Sequence, residues 1–288
     1  MFLKKTYLVL LLLVTAVIVA FNLDKPAKKI NQPEPNYVPL DQSVSEYLSD
    51  QKGTYGLYFI DLKSGKEFGY NQYTPFHAAS TFKLPMNLYL YTQAEKENIN
   101  LDQKLTSQSH HMEGGTGFLK NYPPGKSYTI KQLATYSIVN SDNIATNILL
   151  ERLGREKVKS YMRSLGGKVV VDGKNVTCPY DLALYMQKTI EFYRTDSPEA
   201  KMLMENLINS EFKDRIPAAL PPNTKVANKI GNWPPTNTYN DVAYVNHPVR
   251  PYILAVTCSD TPGYGTAVPV IRQVSKMIYE YQSAENTP

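Results

Sequence analysis

Segments with strand character lie near both ends of this chain of 288 residues, and segments with helix character fill its middle. Short runs of β-branched and aromatic residues bounded by turn residues predict strands. The predicted strands cover residues 54–61, 67–70, 225–231, 240–245 and 252–259. Because a sheet must bury its apolar face, we expect both ends to meet in one antiparallel sheet with helices packed on it. The remaining helices are expected to form a subdomain to one side.

Helical segments are predicted between these strands and after the last of them. Pro85 is compatible with the first turn of a helix, and Gly154 is a typical residue just beyond a helix end. The predicted helices cover residues 43–48, 84–98, 130–139, 143–153, 156–165, 179–193, 198–209 and 268–282. Hydrophobic residues make up 42% of the chain, which is enough for a sizeable core.

The N-terminus predicts export. Lys4 and Lys5 precede an apolar run over residues 7–23, which is the order of a signal peptide. The run is close to the shortest length that spans a bilayer, so a cleaved signal peptide and an uncleaved signal-anchor both remain open. The Lys-, Asn- and Pro-rich stretch that follows predicts a tether. We expect a signal peptide or signal-anchor (1–23), a tether (24–40) and one domain (41–288), secreted or held on the extracellular face of the cytoplasmic membrane.

The charge is too small and too scattered to indicate a nucleic-acid partner. The formal net charge is +5, and the Lys and Arg residues form no dense cluster beside aromatic residues. His110 and His111 are adjacent, but the histidine spacing matches no metal motif, so we expect no metal and no cofactor. Cys178 and Cys258 would either pair in an oxidising exterior or remain separate buried thiols.

A serine and a lysine stand three residues apart where a long apolar helix is predicted to begin. The segment reads Ser80-Thr81-Phe82-Lys83. One helical turn puts the serine and the lysine on the same face, where a neutral lysine can take the serine proton. The flanking Phe82 and Leu84 predict partial burial of Lys83, which would lower its pKa. The alternative interpretation is an ordinary helix N-cap serine beside a surface lysine.

Two further motifs follow in the chain, and the order of all three is more specific than any one of them. They are Ser141-Asp142-Asn143 and Lys229-Ile230-Gly231. By itself the first would be a common turn before a helix. In this order the three motifs resemble the signature of class A β-lactamases and penicillin-recognising serine hydrolases, over about residues 41–282. Further similar segments, in the same order, are residues 114–117, 122–125, 214–218 and 240–243.

The resemblance implies a fold and a set of roles. The fold is α/β and β-lactamase/transpeptidase-like, an antiparallel sheet flanked by helices plus an all-helical subdomain, with the site between them. Ser80 is then the nucleophile and Lys83 its proton acceptor or orienter. Ser141 relays a proton to the leaving group, and Asn143 hydrogen-bonds Lys83 and the substrate amide.

The same resemblance implies the substrate-binding residues. Lys229 attracts the substrate carboxylate, and Gly231 lets the substrate backbone approach the strand. The backbone N–H groups of Ser80 and Asn232 form the oxyanion hole.

The chain departs from the family pattern at two places. Ile230 stands where the family usually has Thr or Ser, so no hydroxyl is available to bind the substrate carboxylate. The Glu-x-x-Leu-Asn motif, whose glutamate positions the deacylating water, is not found before the helix at residue 179. Glu151 and Glu156 are expected in helices far from the site. Asp172 is either a replacement base or, as we favour, a turn residue before Gly173.

These observations predict an exported serine hydrolase that forms an acyl-enzyme with amide, β-lactam or D,D-peptide-like substrates. The expected partner is a small-molecule β-lactam or a peptidoglycan stem peptide, with N-terminal membrane association and a monomeric state. One alternative is a true β-lactamase that hydrolyses antibiotics with another base. The other is a non-catalytic cell-wall binding or sensor module, which would not require the full set of polar residues.

Overall fold

The computed structural model describes residues 34–284, and the predicted signal segment lies outside them. In chain order the helices are α1 (Val38–Ser49), α2 (Lys83–Glu95), α3 (Ile130–Val139), α4 (Asn143–Leu153), α5 (Arg155–Ser164), α6 (Pro179–Tyr193), α7 (Pro198–Ile208) and α8 (Tyr264–Ala284). The strands are β1 (Thr54–Asp61), β2 (Glu67–Tyr70), β3 (Phe76–His77), β4 (Lys104–Thr106), β5 (Ser127–Thr129), β6 (Val176–Thr177), β7 (Val226–Trp233), β8 (Thr238–Val245) and β9 (Tyr252–Ser259).

The two ends of the chain meet in one antiparallel sheet, which confirms the expected fold. Its strand order is β2-β1-β9-β8-β7, so strands from the N-terminal part lie beside strands from the C-terminal part. β1 pairs with β9 along its whole length, from Thr54 opposite Ser259 to Asp61 opposite Tyr252. Apart from its first residue, β1 is buried throughout, because both faces of the sheet are covered.

Alternate residues of β1 contribute to two separate apolar cores. Leu57 and Phe59 pack with residues of α1 and α8, which cover one face of the sheet. Tyr58 and Ile60 pack with residues of α2, α6 and other helices on the opposite face. This alternation follows from the period of two in a strand. The second core continues into the helical subdomain, so continuous apolar packing joins the sheet to these helices.

Two short strand pairs and the first turns of two helices were not predicted from sequence. β3 pairs with β6, and β4 pairs with β5, but runs of two or three residues carry no periodicity to detect. α1 begins at Val38 instead of residue 43, so it overlaps the predicted tether, and its Leu40 is buried. α8 begins at Tyr264 instead of residue 268. Within residues 34–284, no helix is long and apolar enough to cross a membrane.

Both cysteines are free thiols in the interior. Cys178 precedes α6, where its Sγ accepts the Asp181 N–H at 3.5 Å, and Cys258 lies on β9. Burial raises the pKa of each thiol to about 12. Of the two alternatives from the sequence, the structure has separate buried thiols, and both are unreactive at neutral pH.

A buried ion pair joins the end of β1 to the turn before β9. Arg250 donates to Asp61 at 3.0 Å, and the two side chains are 4% and 0% exposed. Burial raises the pKa of Asp61, but hydrogen bonds from Ser64, the Lys63 N–H and Tyr37, together with the Arg250 charge, hold that pKa below its ordinary value. The pair therefore stabilises the fold above the ordinary pKa of an aspartate, and this stability is lost as pH falls through the lower folded-state value.

We predict that Arg250→Met lowers the free energy of unfolding by about 3–5 kcal/mol at neutral pH, because it leaves a buried carboxylate without its cation. Urea denaturation measures the change. Arg155→Met, on an exposed position of α5, is the matched control and should change the value by no more than about 0.5 kcal/mol. The difference between wild type and Arg250→Met should shrink in acid as Asp61 becomes protonated. Equal stability at neutral pH would contradict the assignment.

Candidate active site

The candidate nucleophile Ser80 lies where β3 runs into a helix. A 3-10 turn, Ala79–Phe82, joins β3 to α2. Ala79 has a φ of +49°, in the left-handed region that residues with a side chain rarely adopt. Its N–H donates to Nδ1 of His77 at 3.0 Å, and its carbonyl accepts from Nδ2 of Asn175 at 3.1 Å. Side chains thus hold both peptide groups of the strained residue before Ser80.

Lys83, one turn after Ser80, is 1% exposed and points into a polar pocket. Its Nζ donates to the carbonyl and the hydroxyl of Ser141 at 2.7 and 3.3 Å, and to Oδ1 of Asn143 at 2.9 Å. Burial lowers the pKa of Lys83 to about 7, although the carboxylates of Asp142 and Glu113 oppose the shift. A large fraction of the lysine is therefore a neutral amine at neutral pH, as a general base requires.

Ser141 and Asn143 flank the start of α4. Asp142 between them is the N-cap, and its carboxylate accepts the N–H groups of Ala145 at 2.9 Å and Leu119 at 2.8 Å. Ser141 has a φ of +51°. The carboxylate therefore has a structural role, and it fixes the turn that aims Ser141 and Asn143 at Lys83.

Lys229 reaches the same hydroxyl from the sheet. Its Nζ donates to Oγ of Ser141 at 2.9 Å and to the carbonyl of Ile230 at 3.1 Å. Burial, and then the charge of Lys83, hold the pKa of Lys229 well below its ordinary value. The Ser141 hydroxyl lies between two lysine amines, and repulsion favours states in which at least one of them is neutral.

Gly231 brings β7 into backbone contact with the segment of the nucleophile. A Cβ at this position would lie 2.8 Å from the Ala78 carbonyl oxygen and 3.0 Å from the Ser80 nitrogen, so only glycine fits. Asn232 follows on the same strand. The contact joins the two segments whose N–H groups, on Ser80 and Asn232, are predicted to form the oxyanion hole.

The buried guanidinium of Arg215 binds the part of β7 that carries Gly231 and Asn232. Arg215 is 0% exposed and donates to the carbonyls of Gly231 and Asn240 and to Oδ1 of Asn232. The sequence placed Arg215 in a segment similar to the family but gave it no role. Its contacts fix both the backbone and the side chain next to the predicted oxyanion hole.

Glu113 is a second residue that the sequence reasoning missed. Its carboxylate accepts from Nδ2 of Asn147 at 2.8 Å and from Nδ2 of Asn143 at 3.4 Å. Asn143 also donates to the Gly114 carbonyl at 3.0 Å. The negative charge of Glu113 raises the pKa of Lys83, against the larger effect of burial. A single Glu in a Gly-rich loop offers no sequence signal for this placement.

The segment before α6 contacts the turn that precedes Ser80 through Asn175, and not through Asp172. Asp172 lies on the surface, 58% exposed, and its carboxylate is bound by Arg163. Asn175 instead contacts the strained turn, because its carbonyl accepts the Ala78 N–H at 2.9 Å and its side chain donates to Ala79. These contacts favour the interpretation of Asp172 as a turn residue.

His110 and His111 form a second titratable cluster with Glu151 of α4. Their Nε2 atoms lie 2.5 and 2.8 Å from Oε2 of Glu151. Nδ1 of His111 accepts the Gln108 N–H at 2.9 Å, so the proton of the neutral ring is on Nε2 and is donated to Glu151. The ring thus has no free lone pair for a metal, and the cluster is a hydrogen-bonded histidine–carboxylate group.

Known proteins share this architecture. β-Lactamase SME-1 from Serratia marcescens is 26% identical over 226 residues, which cover 71% of this chain and 75% of SME-1. The structure of PBP-A has a TM-score of 0.81 at 26% identity and covers 88% of this chain and 98% of PBP-A. A PBP-A mutant solved as an acyl-enzyme complex with penicillin G has a TM-score of 0.80 at 26% identity, with 88% and 99% covered. The last common ancestor of class A β-lactamases from Gram-negative bacteria has a TM-score of 0.74 at 25% identity, with 84% and 99% covered.

The sequence model of the β-lactamase enzyme family matches residues 39–282, which is most of the chain. The match agrees with the three motifs, with the sheet order β2-β1-β9-β8-β7 and with the hydrogen bonds that join Lys83, Ser141 and Lys229. It confirms the resemblance to the class A superfamily and the expectation of an enzyme of the serine hydrolase type. The chain belongs to the β-lactamase enzyme family.

Proposed function

We propose that this chain is an exported serine hydrolase that β-lactams and D,D-peptide-like stem peptides acylate on Ser80. The observation that carries the proposal is the buried Nζ of Lys83, bound to Ser141 and Asn143, with a pKa of about 7. The acyl-enzyme of the PBP-A mutant with penicillin G supports a β-lactam as the small-molecule substrate. Lys4, Lys5 and the apolar run after them support export, and we propose a monomeric enzyme on the outer face of the membrane or free outside it.

In the proposed acylation, Oγ of Ser80 attacks the carbonyl carbon of the substrate amide and passes its proton to neutral Lys83. The N–H groups of Ser80 and Asn232 stabilise the negative charge on the carbonyl oxygen. When the C–N bond breaks, the Ser141 hydroxyl gives its proton to the leaving nitrogen and takes one from a neighbouring lysine ammonium. The short contacts of Ser141 with both lysine amines support this path.

Binding of the substrate carboxylate is expected to be weak for two reasons. Ile230 has no hydroxyl to donate to the carboxylate. Lys229 is fully buried, and its burial and the charge of Lys83 hold its pKa well below the ordinary value, which disfavours the positive charge that would attract the carboxylate. The effect of Ile230 is on binding, before the chemical step, and it does not affect the acyl-enzyme once it has formed.

Deacylation is expected to be slow because no described carboxylate of the segment before α6 is placed to activate water. Asp172 is held by Arg163 at the surface. Asn175, which reaches the turn of the nucleophile, carries an amide and cannot accept a proton at neutral pH. The chain thus fits a penicillin-binding D,D-peptidase better than a fast β-lactamase, which is the competing function.

The first prediction from the proposed mechanism concerns Ser80. Ser80→Ala should remove the penicilloyl adduct that wild type forms with penicillin G, because Ser80 supplies the hydroxyl that Lys83, three residues later, is proposed to activate. Intact-mass spectrometry measures the adduct. Ser160→Ala, on the exposed face of α5, is the matched control and should be labelled like wild type. Labelling of Ser80→Ala at the wild-type rate would show that the nucleophile lies elsewhere.

The second prediction concerns the pH dependence of acylation. The second-order acylation rate should rise through a pKa of about 7 as Lys83 becomes neutral. Glu113→Gln should move this rise to lower pH, because the negative charge of Glu113 raises the pKa of Lys83. Glu205→Gln, on an exposed position of α7, should leave the profile unchanged. A shift to higher pH in Glu113→Gln would exclude Lys83 as the titrating base.

The third prediction concerns turnover. A chromogenic cephalosporin should give a burst followed by a much slower steady state, since loss of a general base typically costs about 100- to 10,000-fold. Asp172→Asn should leave the steady-state rate unchanged, because Arg163 binds that carboxylate at the surface. Sustained rapid turnover by wild type would favour a true β-lactamase, and its loss in Asp172→Asn would identify the replacement base.

A further inference from the structure

We infer that His77 is a positioning residue for acylation, which ties the segment of Ser80 to the strand that carries Asn232. Nδ1 of His77 accepts the Ala79 N–H at 3.0 Å. The imidazole stacks on the indole of Trp233, with ring centroids 4.2 Å apart and an angle of 13° between the planes. One side chain therefore contacts both segments that supply the proposed oxyanion donors. The inference rests on the proposed function.

The first of these two contacts, from the Ala79 N–H to Nδ1 of His77, acts through the strained backbone of Ala79. Ala79 is held at a φ of +49°, and such a conformation persists only where the surroundings determine it. Asn175 holds the Ala79 carbonyl, and His77 holds the Ala79 N–H. Because the next peptide group contains the Ser80 N–H, rotation of Ala79 would turn that donor away from the substrate oxygen.

The second contact, the stack of His77 on Trp233, acts through β7. Trp233 directly follows Asn232, so the stack restrains the strand beyond the second donor. His77 is itself anchored, because Nδ2 of Asn240 on β8 donates to the His77 carbonyl at 2.9 Å. The ring projects from a backbone fixed by the sheet and restrains both segments at once. Gly231 keeps those segments in contact, and His77 keeps their relative orientation.

The positioning role requires that Nδ1 of His77 carries no proton. Nδ1 accepts a hydrogen bond only when it carries no proton, so protonation of His77 would place two N–H groups against each other. Burial lowers the pKa of His77, which keeps the accepting form at neutral pH. Trp233 of β7 stacks on the ring, Val176 of β6 is the strand partner of His77, and Asn240 of β8 binds its carbonyl; none of these three side chains ionises near neutral pH.

The test separates the two links with two substitutions. His77→Phe keeps a flat ring for stacking and removes the acceptor, whereas His77→Asn places an amide oxygen at the position of Nδ1 and removes the ring. We expect His77→Phe to slow the acylation step by about 10- to 100-fold, in the range for misplacement of an oxyanion donor, with noncovalent substrate binding unchanged. His77→Asn should acylate faster than His77→Phe. Thermal unfolding of each variant reports the purely structural effect.

Trp233 provides an independent readout because it is the only tryptophan in the chain. Its fluorescence should change with pH in wild type as the stacked imidazole becomes protonated, with a midpoint below the ordinary histidine value. In His77→Asn this transition should be absent. A wild-type signal that does not titrate, or a transition that survives in His77→Asn, would overturn the stacked arrangement.

The remaining outcomes are distinguishable. If wild type forms no adduct on Ser80, the proposed function and this inference both fail. If wild type is acylated and His77→Phe is acylated equally fast, only the inference fails. Equal losses in His77→Phe and His77→Asn, in proportion to their loss of stability, would show a structural role alone. Should His77→Phe not fold, His77→Gln replaces it, because its amide extends past the Nδ1 position, and the same slowing is expected.

Discussion

The site depends on a single hydroxyl, that of Ser141, held between two buried lysine amines. Lys83 comes from the helical subdomain and Lys229 from the sheet, so their meeting at Ser141 requires both parts of the chain to be assembled. Two buried ammonium groups at this separation would be costly, and the fold resolves the conflict by lowering both pKa values. Burial disfavours the charged form of Lys83, and the same burial therefore gives a base that functions at neutral pH.

Much of the fold could be predicted from sequence where local signals are strong. The bounds of β1, β2, β9, α3, α4 and α6 agree with the predicted ones, because β-branched runs, caps and helix-stop residues mark them. β3 and β6 could not be predicted, since each has two residues and their pairing joins positions about a hundred residues apart. Yet this pair brings His77 and Asn175 to Ala79, so the smallest elements determine the geometry around the nucleophile.

The residues of the candidate site likewise divide into those that sequence motifs predict and those that only the structure identifies. Ser80, Lys83, Ser141, Asn143 and Lys229 belong to motifs whose spacing has a chemical reason, and the structure brings Lys83, Ser141, Asn143 and Lys229 into direct hydrogen bonding. Glu113, Arg215, Asn175 and His77 hold or tune those groups, but their importance comes from tertiary contacts. A buried arginine or a histidine on a strand of two residues has no sequence pattern that distinguishes it from its neighbours.

The segment before α6 explains why acylation and deacylation are uncoupled in the proposed mechanism. In the class A β-lactamase pattern, a glutamate on this segment positions the deacylating water, and the Glu-x-x-Leu-Asn motif that carries it is not found in this chain. In this chain the segment is short, and its Asn175 is bound to both Ala78 and Ala79. These contacts hold the strained turn that positions Ser80. On this segment they leave no described side chain that is placed to activate water. A substitution that adds a carboxylate at Asn175 would remove the amide donor to Ala79, so faster deacylation at that position would come with a loss of nucleophile alignment.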